Sequence, residues 1–478
     1  MANSASGLDP EDPAALLAVA QAALSDNFTD QTKLRAEPVF RPLPRRVRDA
    51  LQELPRGSAE EVYQRFQALV RPYSTGNRHP RFFAWAMGAG TPWSMITGIL
   101  SGAMEVNAVG GAQASTLVEE VVLGRFREWL GFPKEATGLF TSGASLANLL
   151  GLAVARHRGA AQVRQIGLFG AAPLRVYASH DVHLGLEKAV ELLGLGRANL
   201  VRIETDPTRR ISLEALRAAI RVDRTEGRVP LAIVGTAGTV QTGAIDDLAG
   251  LATIAESEDL WLHVDGAYGV LARLSPRLSP RLAGLERAHS VAFDLHKWLH
   301  APMGTGALMV RDPRAHRLAF SGRADYQGGG EGGFAASRRW YQELGLELSR
   351  PFLALGPWLT LQAYGEPHLA RVIEAHVDQA QALAERISAA PELELWSPPS
   401  LHVVLFRHRA SGALPSDRLQ ARIAATLHGR GRFALGTVTI DSQVYLRAAV
   451  GNHRTRSRDL EALVQAVVTT GHALQRES

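Results

Sequence analysis

Apolar residues recur along this chain in two rhythms. From about residue 13 to 24 and from 59 to 70 they fall three and four apart, which predicts two amphipathic helices joined by a polar, proline-containing stretch. From about residue 79 to 310, short apolar runs alternate with helical patterns. Leu231-Ala-Ile-Val-Gly235 reads as a strand, Asp246-Asp247 as the cap of a helix reaching about Ser257, and Leu260 to Asp265 as the next strand. Gly138 to Phe140 and Ser290 to Asp294 read as further strands, and Leu146 to Val154 and Leu184 to Leu193 as helices. Repeated strand–helix–strand units predict a mainly parallel sheet with helices on both faces. After about Tyr364 the rhythm changes. A long helix from Pro367 to Ala389, strands near Leu401–Phe406 and Gln443–Ala449, and a closing helix from Ser457 predict a smaller α+β unit. The chain thus divides into an N-terminal helical segment (1–75), a large α/β domain (76–365) and a small C-terminal domain (366–478). No internal repeat interrupts this order.

Composition narrows the classes. An apolar fraction of 46% and a charged fraction of 21% are those of a globular protein. The net charge of +5 is modest for 478 residues, and no basic run interleaved with aromatics argues for nucleic-acid binding. The absence of cysteine excludes disulfides, thiolate metal sites and a cysteine nucleophile. Met1 to Pro13 has no basic segment before an apolar core, and the most apolar stretch, Pro92 to Ala112, is broken by Glu105, Asn107 and several glycines. Neither a secretory signal nor a membrane span is expected, which points to a cytoplasmic protein. The N-terminal helices have too little apolar surface to fold alone and need a surface to cover, on their own chain or a partner's.

Lysine is scarce. Lys33, Lys134, Lys188 and Lys297 are the only four among 52 basic residues. Where arginine supplies nearly all positive charge, a lysine at a strand end suggests that an amine is needed, because guanidinium does not deprotonate. Lys297 follows Asp294-Leu-His296, 32 positions after Asp265, which ends another apolar run in His263-Val-Asp265-Gly-Ala267-Tyr268. An Asp and a Lys at neighbouring strand ends are what a pyridoxal-phosphate site needs: the carboxylate keeps the ring nitrogen protonated and the amine condenses with the aldehyde. Thr141-Ser-Gly-Ala-Ser145, between a short strand and an apolar helix, offers a helix N-terminus to a phosphate. His183, at the start of the next predicted helix, either stacks on the ring or stays exposed, with His180 as the competing histidine. Gln327 to Phe334, rich in glycine, reads either as a surface connection or as a lid.

With these motifs in order, the chain resembles the group II pyridoxal-phosphate-dependent amino-acid decarboxylases, which include aromatic-L-amino-acid and glutamate decarboxylases. The resemblance rests on His79-Pro-Arg-Phe-Phe-Ala84, Thr141–Ser145, His183 with Glu187-Lys-Ala189, Thr236-Ala-Gly-Thr239, His263–Tyr268 and His296-Lys-Trp298, with Tyr445-Leu-Arg447 through Asn452 and Thr455 near the end. It implies a fold type I architecture and an obligate homodimer whose site lies at the interface, with the N-terminal helices swapped across it. It further implies Lys297 as the Schiff-base lysine and Asp265 as the ring-nitrogen partner. His183 and Ala267 would flank the ring, Ala144, Ser145 and His296 the phosphate, and Thr239 would lie near the cofactor. Val240 departs from the second Thr of many members. Tyr341 is the expected proton donor, on a loop reaching the neighbouring subunit. Phe83, Trp85 and Asn107 are the expected substrate-binding residues, with Phe82 adding apolar surface nearby.

The implied reaction is decarboxylation of an L-amino acid, aromatic by these side chains, to the amine and CO₂. Three alternatives stand beside it. One is an aldehyde synthase, in which oxygen intercepts the intermediate that a proton donor would quench. Another is a decarboxylase of a non-aromatic amino acid such as glutamate or 2,4-diaminobutyrate. The third, a catalytically silent scaffold, is disfavoured by Asp265, Lys297 and the phosphate-binding turn.

Overall fold

The computed structural model describes residues 13–74, 76–322, 340–410 and 415–477. The Gly-rich stretch Gln327–Phe334 lies outside these residues. The large domain is built on seven strands: β1 (Thr137–Thr141), β2 (Leu174–Ser179), β3 (Leu200–Ile203), β4 (Val229–Thr236), β5 (Trp261–Asp265), β6 (Ser290–Asp294) and β7 (Gly306–Val310). Their order is β1-β7-β6-β5-β4-β2-β3. From β6 through β5, β4 and β2 to β3 the pairing is parallel, as predicted. Within this mainly parallel sheet β7 is the exception, a strand the sequence reading does not single out, running antiparallel to both β1 and β6. Its run Gly-Ala-Leu-Met-Val is uniformly apolar because it is buried on both faces, and such a run carries no sign of direction.

The central strands are covered by the predicted helices. Asp247 accepts the Gly250 N–H at 2.9 Å and caps the helix Leu248–Ser257. Its neighbour Asp246 turns inward, accepting the N–H groups of Ile211 and Thr236 at 2.7 Å each, and so fixes the end of β4. One capping pair therefore divides into a cap and a buried anchor.

The small domain is a four-stranded antiparallel sheet, β10-β11-β9-β8, formed by β8 (Leu393–Leu395), β9 (Val403–His408), β10 (Gly436–Ile440) and β11 (Gln443–Ala449). Helices Glu366–Ala389, Ser416–Gly429 and Ser457–Arg476 pack on it around Leu383, Phe406, Leu427 and Leu463. The stretch near residue 83 is stitched to this sheet. The Phe83 N–H donates to the Ala434 carbonyl at 2.7 Å, and the Ala449 N–H to the Phe83 carbonyl at 2.9 Å.

The N-terminal segment forms helices Ala14–Lys33, Arg45–Leu51 and Ala59–Arg65, the last extended by a wider turn to Val70 and opened by a Ser58–Glu61 capping box. The first and third bury no residue, and Leu16, Leu17, Phe28, Val62, Phe66 and Val70 are exposed. Among the described residues no helix is long and apolar enough to cross a membrane.

Candidate active site

The carboxyl ends of β4, β5 and β6 lie side by side, with Thr236 in register with Asp265 and the Asp294 N–H donated to the Ala267 carbonyl at 2.9 Å. A crevice at such strand ends is where sheets of this kind bind ligands. Here it is a cavity of about 410 Å³, lined by Ala144, Ser145, His183, Thr239, Asp265, Ala267, His296 and Lys297 together with Trp85. Residues spread over more than 200 positions thus meet in one place.

Lys297 stands in the short helical turn Leu295–Trp298 that follows β6, and its ammonium lies 3.0 Å from Asp294 Oδ2. The other oxygen of Asp294 accepts the Ala144 N–H at 2.6 Å. Asp294 therefore ties the lysine to the first turn of helix Ala144–Gly159. Sequence reasoning gives Asp294 no role of its own, although its spacing of three from Lys297 is the signal that pairs them.

Asp265 is 3% exposed and accepts the Ala267 N–H at 3.1 Å. Burial pushes its carboxyl above the usual carboxylate range, while Lys297 and His183 pull the other way. A buried carboxyl at the cavity floor is completed by a cationic N–H, which is what a pyridinium offers.

Helix Ala144–Gly159 begins at Gly143, whose φ of 151° suits glycine, and presents Ser142 to Leu146 to the cavity. Asp294 occupies the Ala144 N–H, leaving the next N–H groups of the first turn and the Ser145 hydroxyl to meet an anion. His296 Nδ1 donates to the Thr305 carbonyl at 3.1 Å, which fixes the ring at the cavity's edge. His183 caps helix Leu184–Leu192, its Nδ1 accepting the Gly185 N–H at 3.1 Å, which leaves the proton of the neutral ring on Nε2. His180 is exposed and does not line the cavity. The Thr239 hydroxyl is engaged with Thr242 at 2.9 Å, so it shapes its loop at the cavity edge.

Behind the floor, Trp261 Nε1 donates to Ser290 Oγ at 2.7 Å, and Ser290 meets His263 Nδ1 at 2.7 Å. His263 Nε2 lies 2.8 Å from Asn148 Oδ1. Burial pushes the His263 imidazole down to about 3, so it is neutral and holds the cavity-lining Asn148 by a fixed chain.

Three predicted residues are not brought to this cavity. Phe83 is 1% exposed in the small-domain core, and Trp85, two residues on, lines the cavity instead. Asn107 is exposed and joined to the chain near Arg350, accepting the Arg350 N–H at 2.9 Å. Tyr341 is the main correction. It sits in a 3₁₀ turn, 3% exposed, with its N–H donated to the Val109 carbonyl at 2.9 Å and the Arg350 guanidinium 4.9 Å over its ring. A side chain anchored in its own core, away from the cavity, is not placed to deliver a proton there.

Other cavity residues were missed. Ala86, Met87, Asp181 and Arg447 also line it. Gly88 marks why the Trp85–Gly90 segment can run here: a methyl on it would sit 1.8 Å from the Lys297 carbonyl oxygen. The glycines of Met87-Gly-Ala-Gly90 were the available signal.

An amine, a buried acid and a helix N-terminus around one cavity define a site for a phosphorylated pyridine aldehyde. The comparisons agree. The family model described as "Pyridoxal-dependent decarboxylase conserved domain" matches residues 44–409. The chain is 31% identical over 395 residues to an aromatic-L-amino-acid decarboxylase of Bacillus atrophaeus, covering 81% of this chain and 80% of that protein. It is 33% identical over 362 residues to an L-2,4-diaminobutyrate decarboxylase of Rhizobium meliloti (strain 1021), covering 76% and 71%. The crystal structure of mouse CSAD superposes with a TM-score of 0.89 at 25% identity, covering 96% of this chain and 99% of that one. The chain belongs to the pyridoxal-dependent decarboxylase family. It is a fold type I carboxy-lyase of amino-acid metabolism whose cofactor is pyridoxal 5'-phosphate.

Proposed function

We propose that the protein decarboxylates an L-amino acid with an apolar, ring-sized side chain, releasing the amine and CO₂. The observation that carries this reading is the pairing of Lys297 and Asp265 in one cavity walled by Trp85, Met87 and Val240. When bound, pyridoxal phosphate supplies the aldehyde that captures the substrate amine and the ring that accepts the electron pair left by CO₂.

The chain's own residues then have separable tasks. Lys297 provides the attacking amine, and Asp265 holds a proton on the ring nitrogen. Ser145, His296 and the helix opening at Ala144 hold the phosphate, while His183 and Ala267 flank the ring and Thr239 supports its edge. His183, with its proton on Nε2, replaces Tyr341 as the proton-carrying group offered to the reacting carbon.

Charge in the cavity supports the apolar choice. Asp181 would suit a diaminobutyrate side chain, but Arg209 already holds it, with Nε 2.8 Å from Oδ2. Arg447 would suit a second carboxylate, but its terminal nitrogens are already given to the carbonyls of Val240 and Ala84. The exposed apolar residues of the N-terminal helices, with Ile99, Leu100, Met104, Leu117 and Val121, support a homodimer.

A screen of common L-amino acids for CO₂ release, with the amine identified by mass, tests the function. Tyrosine, tryptophan or dihydroxyphenylalanine should be turned over. Activity confined to glutamate, aspartate or 2,4-diaminobutyrate refutes the substrate class, and aldehyde with peroxide in place of amine refutes the product.

A further inference from the structure

The cavity lies between parts built by two domains. Its floor belongs to the large sheet, through Asp265, Lys297 and the loop Gly238–Val240. Its wall, Trp85 to Met87, follows the segment stitched to the small domain. The Phe83 N–H bonds the Ala434 carbonyl at 2.7 Å, and Phe82 bridges Ala434. On this side, a methyl on Gly451 would meet the Met87 carbonyl oxygen at 2.6 Å. The start of the wall is thus held by the small domain, while its far end, at Gly88 and Ala89, rests on the large domain against the Lys297 carbonyl and His300.

Arg447 is the residue that touches both parts. It rises from β11, is 9% exposed and lines the cavity. One terminal nitrogen donates to the carbonyl of Val240 in the large domain, and the other to the carbonyl of Ala84, one residue before Trp85. Its Nε is packed against Gly436, where a methyl would sit 3.4 Å from Nε and 3.0 Å from the Ala84 oxygen. The loop it grips is itself rigid. Thr239 Oγ1 is 2.9 Å from Thr242 Oγ1, and the Tyr268 hydroxyl donates to the Thr239 carbonyl at 3.2 Å.

We propose that Arg447 is a specificity-determining positioning residue: by bonding Ala84 and Val240 together it sets the gap between Trp85 and Val240 that admits the substrate side chain. This rests on the decarboxylase reading above. The role needs the planar fork of a guanidinium, since both backbone acceptors must be met from one rigid group. A lysine keeps the charge but not the fork. The charge itself is not the recognition element, because both terminal nitrogens are committed to neutral carbonyls.

Three variants of the cofactor-loaded protein test the proposal: Arg447→Lys, Arg447→Met and Gly436→Ala. The last leaves Arg447 in place and presses on its packing, and so serves if the methionine variant does not fold. The readouts are kcat and KM for tryptophan, phenylalanine and leucine, and hydrogen exchange over residues 84–87 and 239–244. The expected result is a change of about tenfold in the tryptophan-to-leucine ratio of kcat/KM, the size lost with one well-made charge-assisted contact, carried mainly by KM. Exchange should rise in both segments while the cofactor absorbance is kept. Arg447→Lys should behave like Arg447→Met. Wild-type selectivity in the lysine variant would overturn the proposal, since charge alone would then suffice. Unchanged exchange in both segments of all three variants would also overturn it. Failure of the parent protein to release CO₂ from any amino acid would instead remove the functional reading. The exchange measurement would still decide whether Arg447 joins the two segments.

Discussion

The floor and the wall of the cavity are built on opposite terms. On the floor, Asp265 and Lys297 stand at or just beyond the ends of adjacent parallel strands, and the phosphate-facing residues open a helix. Each is held by hydrogen bonds within regular structure. The wall is an irregular segment, Trp85 to Gly90, entered from a stretch bonded to the small domain at Phe83 and Ala84 and tied to the large domain at Ala89, whose carbonyl accepts from His300 Nδ1 at 2.9 Å. A reacting group placed by a strand end is fixed to the precision of the sheet, and a wall placed by a domain contact can be retuned without disturbing the chemistry. The floor sets the reaction and the wall sets what enters.

If that division holds, Lys297→Arg should be the most damaging change on the floor. It keeps the charge near Asp294 but removes the nucleophilic amine, and turnover should fall below detection in a CO₂-release assay while circular dichroism stays that of the parent. Asp265→Asn comes next. Removing the buried charge should cost about two to three orders of magnitude in kcat, corresponding to a few kcal/mol, with a folded protein that binds cofactor more weakly. Near-parental kcat in this variant would break the account of the floor.

Acid should test the wall and its domain contact more than the floor. His300, His376, His402 and His453 lie together where the Lys297 turn meets helix Glu366–Ala389 and the small domain, with ring centroids 5.4 Å apart for His300–His376 and 4.8 Å for His300–His453. Burial lowers all four, with His300 held at about 4 and His402 at about 3, and the neighbouring Arg447, Arg454, Arg456 and Lys297 push in the same direction. Each ring is neutral when folded and protonates near 6.5 when unfolded, so the unfolded chain binds more protons below that value. Stability should therefore be full above about pH 6.5 and fall toward pH 4, by about 1.4 kcal/mol per ring at pH 5.5. Asp246, pushed up to about 6 by burial, works against this trend, as do the raised carboxyls of Asp265 and Glu119. The buried imidazoles of His79, His263 and His316, also lowered, add to it. Urea melts from pH 7.5 to 5 measure it, and a flat or rising midpoint on acidification would contradict it.

The smallest effect should come from Tyr341→Phe. The hydroxyl lies 3.5 Å from the Thr116 carbonyl in a buried setting, so its loss should cost about 1 kcal/mol of stability. Product analysis should still give amine without peroxide. Aldehyde formation by this variant would restore Tyr341 to the chemistry.

The same division explains what could be read from the chain. Strands with an apolar run ending in Asp, and a helix opening in Ser-Gly-Ala-Ser, are local patterns whose physics is visible in a few residues. That is why Asp265, Lys297, Ser145 and His183 were found and meet in one cavity. Strand direction is not local, so antiparallel β7 was missed. In Phe82-Phe-Ala-Trp85 all three aromatics looked equally available, and only the bond from Phe83 to Ala434 decides that Phe83 turns into the core and Trp85 to the cavity. Arg447 was visible as part of the ending of the chain, but its partners, Ala84 and Val240, are far from it in sequence. Tyr341 was chosen by spacing, and spacing carries no information about burial.

Borohydride reduction of the holoenzyme followed by peptide mapping reads the position of the bound cofactor without depending on any substrate. A pyridoxyl group on Lys297 alone is the expected outcome. Its recovery on Lys188, the exposed lysine of helix Leu184–Leu192, would contradict the site described here.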